Sequence, residues 1–204
     1  MKRMIPLLLL SFSLFYSVCI SAQEDAEERK GFKKENLFTG GSISLSFFNN
    51  TFLVGASPVF GYSLTKWADI GIVTNINYSS ARDYQVFNDR LRQTIYGGGL
   101  FTRLYPVRFL FAQAQFEHNF IRLKYVLPNN GGSSTSNTSE NSFLVGGGYT
   151  SGRFPGSGQG FFYLAVLFDV SGNRNSPYTD GAGRVIPIIR GGVQVPLFQG
   201  RRGE

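Results

Sequence analysis

Four charged side chains fall on the polar side of segments in which polar and apolar residues alternate. They are Asp69, Arg103, Glu117 and Arg190. Aligning the third and fourth segments so that Ile72 opposes Leu100 also sets Asp69 opposite Arg103. An isolated charge is costly to enclose, so these groups must be paired. They predict an enclosed polar network, which either fills the interior structurally or serves as a gate or a proton-linked path.

His118 is the single histidine of the chain and the natural candidate for a catalytic base. Nucleophilic catalysis needs a hydroxyl or thiol beside that base. The position two residues on is Phe120, and Asn119 points to the other face of the same segment. The sequence also has no Gly-x-Ser-x-Gly elbow, metal-spaced histidine cluster or Walker loop. We therefore expect a non-enzymatic protein with no catalytic, cofactor-binding or metal-binding residues, and His118 as an interfacial or lipid-facing side chain.

The first 22 residues have the order of a secretory signal. Lys2 and Arg3 precede an apolar run, which ends at Ser21 and Ala22 before charged residues begin. We predict a signal peptide over residues 1–22, cleaved after Ala22. A transmembrane anchor is the alternative, although the run is near the lower length limit for a span. The only cysteine, Cys19, lies within this segment, so the mature chain has no thiol for disulfides or catalysis.

The charge pattern argues against a nucleic-acid partner. The formal net charge is +7, and two positive charges leave with the predicted signal. The remaining basic residues are scattered along the chain, whereas nucleic-acid binding favours a basic face.

Residues 37–198 are organised as eight segments with a period of two, which indicates strands. The segments span 40–48, 51–64, 67–78, 94–105, 109–125, 142–150, 161–169 and 185–198. Charged residues make up 16% of the chain and aromatic residues 15%. No apolar stretch after the signal is long enough for a membrane helix, and only helices and closed barrels cross hydrocarbon. The pattern predicts an all-β, eight-stranded, antiparallel, up-and-down transmembrane β-barrel, with a flexible leader at 23–36 and a tail at 199–204.

The connections are expected to alternate in length, with short turns at the end that carries the termini and longer loops at the other. Residues 80–93 combine mixed charges with aromatic residues, which would suit lipopolysaccharide phosphates or a protein partner. Residues 129–142 are polar and nearly uncharged, which indicates a mobile loop. Aromatic residues near the strand ends suggest two interfacial girdles. Tyr105 and Phe161 belong to the predicted girdle at the end with the termini.

Two positions break the regular alternation. In the fifth segment the apolar phase changes at Ile121, which predicts a β-bulge. Pro58 lies inside the second segment, where a closed barrel has no free edge to accommodate its missing N–H. A second local bulge is expected there.

The chain resembles the small outer-membrane β-barrel domains of the OmpA/OmpX type and the porin-like barrel proteins common in Bacteroidota-type genomes. The resemblance covers roughly residues 38–198. It rests on Gln23 after the signal, the eight alternating strands, the Gly-rich stretches 96–99 and 145–148, and the final strand 190–198, which ends in an aromatic residue. The chain departs from the pattern in continuing past that aromatic residue.

The resemblance implies a location in the outer membrane of a Gram-negative cell, with outer-membrane lipid and the barrel-assembly machinery as partners. A structural, partner-binding or surface-contact role is expected, with the extracellular loops available to a protein partner. A narrow channel or carrier for small solutes is one alternative, and planar-bilayer conductance would distinguish it. A soluble lipocalin-like barrel is another, which requires apolar residues to point inward.

Overall fold

The chain folds as a closed barrel of eight antiparallel strands. The computed structural model describes residues 31–128, 131–154, 157–180 and 182–198. After a short 3-10 helix, Lys34–Asn36, the strands are β1 (Leu37–Phe48), β2 (Thr51–Ser63), β3 (Ala68–Arg82), β4 (Arg90–Val107), β5 (Leu110–Val126), β6 (Ser133–Thr150), β7 (Phe161–Asp169) and β8 (Ile188–Pro196). Each strand pairs with the next, and β8 closes the ring by pairing with β1. The predicted all-β, up-and-down, eight-stranded barrel is confirmed.

The predicted alternation in connection length holds only in part, because the connection 151–160, at the end that carries the termini, is longer than the connections 49–50, 83–89 and 127–132 at the opposite end. We call the end with the start of β1 and the finish of β8 the terminal end, and the opposite one the loop end. At the loop end, Asn49 and Asn50 form the predicted tight turn with φ angles of 46° and 60°, which suit a two-residue hairpin. The predicted signal peptide, leader residues 23–30 and tail residues 199–204 lie outside the described residues.

β6 begins at Ser133, so the prediction of a mobile loop over residues 129–142 is wrong for most of that stretch. Every residue from Ser133 to Tyr149 pairs with β5 without a shift in register. The Ser/Thr-rich sequence conceals this strand because it has no apolar period. Continuous backbone pairing with β5 forms it nonetheless. Since β3 and β4 also extend, the connection between them spans only residues 83–89.

The side chains of the strands divide cleanly between the two faces of the sheet. Outward positions are mainly apolar and exposed, as at Ile43 (66%), Ile76 (66%) and Phe162 (70%). Inward positions in the middle of the barrel are largely polar, as at Gln115 and Asn119, and they are buried. The barrel therefore has the polarity opposite to that of a water-soluble protein.

The predicted bulge in β5 is absent, because the same alternation continues to the end of the strand. Ile121 is buried inside, whereas Arg122 and Lys124 point outward and are exposed. The register with β4 and β6 stays constant across these residues. What changes is the polarity of each face. Between Phe120 and the loop end, the apolar residues of β5 face inward and the charged ones face outward. The exposed apolar side chains around the barrel form a band that we call the apolar belt, and this inversion marks its edge on the side of the loop end.

Pro58 is accommodated without the bulge that we expected. It points outward and keeps its pairing with Gly41 of β1. Toward β3, the ladder stops at Ala56 and resumes at Val59 in the same register. The missing pairs are those that would use a Pro58 N–H, so the strand skips them rather than shifting.

Two residues assigned to the aromatic girdle at the terminal end lie inside instead. Tyr105 and Phe161 are buried with Phe111 and Tyr163 in one apolar cluster. Each follows the inward phase of its own strand, which the clustering of aromatic residues in the sequence does not reveal.

Within the described ranges, no helix has both the length and the apolar composition needed to cross a membrane.

Close contact between β4 and β5 depends on an inward-facing glycine. A Cβ atom added to Gly99 would lie 1.7 Å from the carbonyl oxygen of Phe116. Even the smallest side chain would therefore force the two strands apart. Outward-facing Gly191 lacks this restriction, since an added Cβ would be 4.0 Å from the nearest atom, Leu164 Cδ1.

We predict that Gly99→Ala lowers the free energy of unfolding by about 1–3 kcal/mol, the usual cost of overpacking. Gly191→Ala is the matched control and should change it by less than about 0.5 kcal/mol. Urea unfolding in lipid vesicles measures both values. Equal stability of the two variants would show that strand separation at Gly99 is not limiting.

Candidate functional site in the barrel interior

The interior positions of β3, β4, β5 and β8 bring the four charged residues singled out in the sequence into one enclosed space. Their exposed fractions are 0% for Asp69, 2% for Arg103, 0% for Glu117 and 3% for Arg190. Asp69 and Arg103 are register partners on β3 and β4, as are Ile72 and Leu100. The four residues belong to two connected clusters, one near the terminal end and one at mid-height.

The lower cluster is built around Asp69, whose ion-pair partner is Arg153 rather than Arg103. Arg153 Nη2 lies 2.5 Å from Asp69 Oδ1. Arg103 reaches Asp69 through Gln194, because Arg103 Nη1 donates to Gln194 Oε1 at 3.0 Å and Gln194 Nε2 donates to Asp69 Oδ2 at 3.2 Å. Facing positions in the strand register therefore do not form the direct pair. The second arginine, Arg153, neutralises the carboxylate, and the Gln194 amide connects that carboxylate to Arg103.

Arg153 was not found from the sequence. It comes from the connection between β6 and β7, where no alternation points to an inward side chain. Its guanidinium donates to the carbonyl oxygens of Thr65, at 3.0 Å, and Lys66, and lies 4.5 Å from the ring centroid of Tyr105. Arg153 thus ties two turns of the terminal end to Asp69 and covers this end of the interior.

Arg103 is held by an aromatic cage together with two amides. Its guanidinium carbon lies 4.2 Å from the ring centroid of Tyr163, with Phe101 at 5.0 Å and Phe111 at 5.4 Å. Nε donates to Gln113 Oε1 at 2.8 Å. Cation–π contacts and amide acceptors offset the loss of water around a charge that lacks a direct carboxylate partner.

The mid-height cluster centres on the Glu117–Arg190 ion pair. Arg190 Nη2 lies 3.2 Å from Glu117 Oε1, and Arg190 Nη1 donates to Gln115 Oε1 at 3.2 Å. Gln115 Nε2 donates in turn to Glu117 Oε1, and Gln113 Nε2 donates to Gln115 Oε1 at 2.7 Å. Gln113, Gln115 and Glu117 are alternate residues of β5, and they therefore link the mid-height cluster to the lower cluster.

A tyrosine from the β7–β8 connection completes the environment of Glu117. Tyr178 is fully buried, and its hydroxyl donates to Glu117 Oε2 at 2.6 Å. The same hydroxyl accepts from Asn75 Nδ2 at 3.3 Å and Asn77 Nδ2 at 3.4 Å. The connection therefore folds down into the barrel. Residue types alone did not reveal this, because Tyr178 lies in an irregular polar stretch.

Hydrogen bonds continue from Glu117 to the loop end. Asn119 Nδ2 donates to Glu117 Oε2 at 3.3 Å and lies 3.4 Å from Ser142 Oγ. Ser142 and Ser176 hydroxyls are 3.3 Å apart, and Ser176 donates to Asp169. Among the described residues, the buried charged side chains that this network joins are three arginines and three carboxylates, namely Arg103, Arg153, Arg190, Asp69, Glu117 and Asp169. The formal charge of the network is zero.

The composition of this hydrogen-bond network limits what the network can transport. Its links at Gln113, Gln115 and Gln194 are side-chain amides, which hold their protons in N–H bonds. Proton transfer through a side-chain amide requires an unstable tautomer. An arginine stays protonated and therefore cannot release and accept protons in turn. The arrangement therefore suits fixed neutralisation of charge better than proton relay.

His118 lies outside this network, on the outward face of β5. Its Nδ1 is 2.7 Å from Asn141 Oδ1, and its ring meets Phe120 edge to face at 4.9 Å. Neither neighbour carries a nucleophile. In the part of the chain that the structure describes, no group of three or more His, Cys, Asp or Glu side chains is placed to hold a metal ion.

We predict that Glu117→Gln destabilises the barrel by about 3–5 kcal/mol, because it leaves the Arg190 charge buried without its carboxylate. The double variant Glu117→Gln/Arg190→Met should recover at least half of that loss. Arg122→Met, on the outward face of β5, is the control and should change stability little. Urea unfolding in lipid vesicles measures the stability of the three variants, and a double variant no more stable than Glu117→Gln would contradict the pairing.

Comparison with known proteins gives structural likenesses only. No family model matches the chain, and no curated protein matches it significantly. Among solved structures it is similar to Ail, the attachment invasion locus protein of Yersinia pestis, crystallised with the heparin analogue sucrose octasulfate (8% identity, 78% of this chain and 94% of that chain, TM-score 0.44). It is also similar to Neisserial surface protein A (12% identity, 82% of this chain and 100% of that chain, TM-score 0.40). A third similar structure is the N-terminal β-barrel domain of Pseudomonas aeruginosa OprF (13% identity, 79% of this chain and 97% of that chain, TM-score 0.40).

Proposed function

We propose that the protein is a non-enzymatic outer-membrane β-barrel with a sealed interior, which acts through the surface that it presents at its loop end. The polarity of the sheet carries this proposal. Exposed apolar side chains encircle the barrel, while a neutral network of charged and amide groups occupies its interior. A structural, partner-binding or surface-contact role follows from a barrel that passes nothing through its centre.

The exposed apolar face is the main argument for a membrane rather than water around the barrel. Soluble monomers rarely expose contiguous apolar patches of more than a few hundred Å². Here Phe47, Leu100 and Phe162 are each more than half exposed, and they lie on different strands around the ring. A lipocalin-like barrel would instead bury such residues around an internal ligand. The polar interior at Gln115 and Glu117 does not suit an apolar ligand.

The orientation follows from the two ends. Both termini of the barrel lie at the terminal end, as expected for a chain that enters from the periplasm after cleavage of the predicted signal at residues 1–22. At the loop end, β4 to β6 continue past the apolar belt, with Arg122 and Lys124 pointing outward. Such strand extensions suit the aqueous exterior of a Gram-negative cell. The final strand ends at Pro196, two residues before Phe198, and this is where we expect the barrel-assembly machinery to bind.

A sealed interior is favoured over a channel by what occupies it. The interior of an eight-stranded barrel is just wide enough for side chains to fill. Arg103 and Arg190 span this space with partners from facing strands, and Tyr178 enters from the loop end. Opening a conducting path would require breaking several charge-assisted hydrogen bonds at once.

We predict that the mature chain fractionates with the outer membrane and migrates differently on a gel before and after boiling, as a folded barrel does. Gly99→Ala provides a destabilised comparison whose heat-sensitive band should be weaker. Recovery of the mature wild-type chain in the soluble periplasmic fraction would overturn the proposal.

A further inference from the structure

The loop end holds a cavity of about 510 Å³ that is open to the outside and bordered by Ser176 of the interior network. Its walls are the loop-end parts of the strands from β2 to β6 together with the β3–β4 connection, and the β7–β8 connection contributes Ser176, Thr179 and Asp180. We call this cavity the cup. Its volume lies within the range of about 300–1,000 Å³ that is usual for small-molecule sites.

We propose that the cup binds a neutral, polyhydroxylated ligand of the saccharide class. Three independent features support this: buried polar atoms that lack partners, paired rows of hydroxyl and apolar groups, and nearby carboxylates that are already held by internal hydrogen bonds.

Two residues of the cup lining each carry a buried polar atom that has no hydrogen-bond partner among the described residues. These atoms are Thr51 Oγ1 and Gln93 Oε1. The Thr51 side chain is only 5% exposed. Buried polar atoms are almost always paired in folded proteins, and leaving one unpaired is costly. One ligand hydroxyl donating to Gln93 Oε1 and a second bonding to Thr51 Oγ1 would supply the missing partners.

The wall formed by β5 and β6 sets hydroxyl groups beside apolar ones. The register pairs Ile121 with Thr138, Leu123 with Ser136 and Tyr125 with Ser134, and all six residues line the cup. Hydroxyl groups both donate and accept, as sugar hydroxyls require. Aliphatic and aromatic side chains suit the C–H faces of a sugar ring. The alternation along this wall therefore matches the mixed surface of a saccharide.

The acidic groups near the cup are occupied by internal contacts. Asp89 accepts hydrogen bonds from the backbone amides of Tyr84, Gln85 and Val86 and from the Tyr125 hydroxyl. Burial alone would raise the pKa of Asp89, but these hydrogen bonds outweigh it and lower that pKa to about 2. The carboxylate stays ionised, and it fixes the β3–β4 loop with Tyr84 and Gln85 at the cup.

Asp180 has a similar role in the β7–β8 connection. It accepts from Asn49 Nδ2 at 3.0 Å and from Arg184 Nε at 2.8 Å. Burial opposes ionisation, yet the hydrogen bonds from Arg184 and Asn49 bring the pKa of Asp180 below its ordinary value. With both loops fixed, the cup is formed before a ligand arrives, which reduces the entropy cost of binding. The remaining charged side chain of the lining is Arg174, an exposed residue.

That the cup faces the cell exterior rests on the proposed outer-membrane orientation, but ligand binding does not. Binding can be measured with the purified protein in a detergent that lacks a sugar headgroup. A failure to bind would therefore leave the membrane location untouched.

The test is a glycan array carrying neutral, sialylated and sulfated oligosaccharides, probed with the mature protein in that detergent. We expect retention on neutral glycans. The double variant Thr51→Val/Gln93→Met should bind the strongest of them at least tenfold more weakly. Thr94→Val is the matched control, because Thr94 neighbours Gln93 but points outward, and its affinity should match that of the wild type.

Heat-sensitive gel migration verifies that each variant is folded. Ser136→Ala provides a second variant in the cup, for which we also expect weaker binding. Absence of binding to every glycan would overturn the proposal. So would binding confined to sialylated or sulfated glycans, or neutral-glycan affinity that is unchanged in both cup variants.

Discussion

Closure of the sheet between β1 and β8 is the constraint on which the rest of the structure depends. A ring of eight strands has no edge, so every strand has a hydrogen-bonding neighbour on both sides. It also forces every second side chain into one narrow interior. The inward residues must therefore complete one another, because bulk water cannot enter to pair them. The neutral network from Arg153 to Asp169 is the result.

The same closure leaves the outward residues to meet the surroundings. Over most of the barrel these residues are apolar, and they require a surrounding hydrocarbon layer. The layer ends where β5 reverses its polarity between Phe120 and Arg122. Beyond this point the strands form a barrel of the ordinary soluble kind, with Ile121 inside and Lys124 outside. The cup lies within this upper section, where an aqueous ligand could reach it.

Sequence periodicity predicts the strands well because alternation is a direct consequence of strand geometry. It locates β7 without error and sets Asp69 opposite Arg103. It fails where a side chain comes from a connection, since Arg153 and Tyr178 follow no period. Its prediction of a bulge at Ile121 is wrong, because a reversal of environment and a bulge produce the same change of phase. Only the register of the neighbouring strands distinguishes the two.

The most direct test of the account compares two adjacent side chains of β5. Single cysteines replace Phe116, which faces outward, and Gln115, which faces inward, in a chain carrying Cys19→Ser. A lipid-soluble thiol reagent is then applied to native membranes. We expect rapid labelling at position 116 and protection at position 115. Preferential labelling at position 115 would contradict the account, since the oily face of the sheet would then be turned toward the centre.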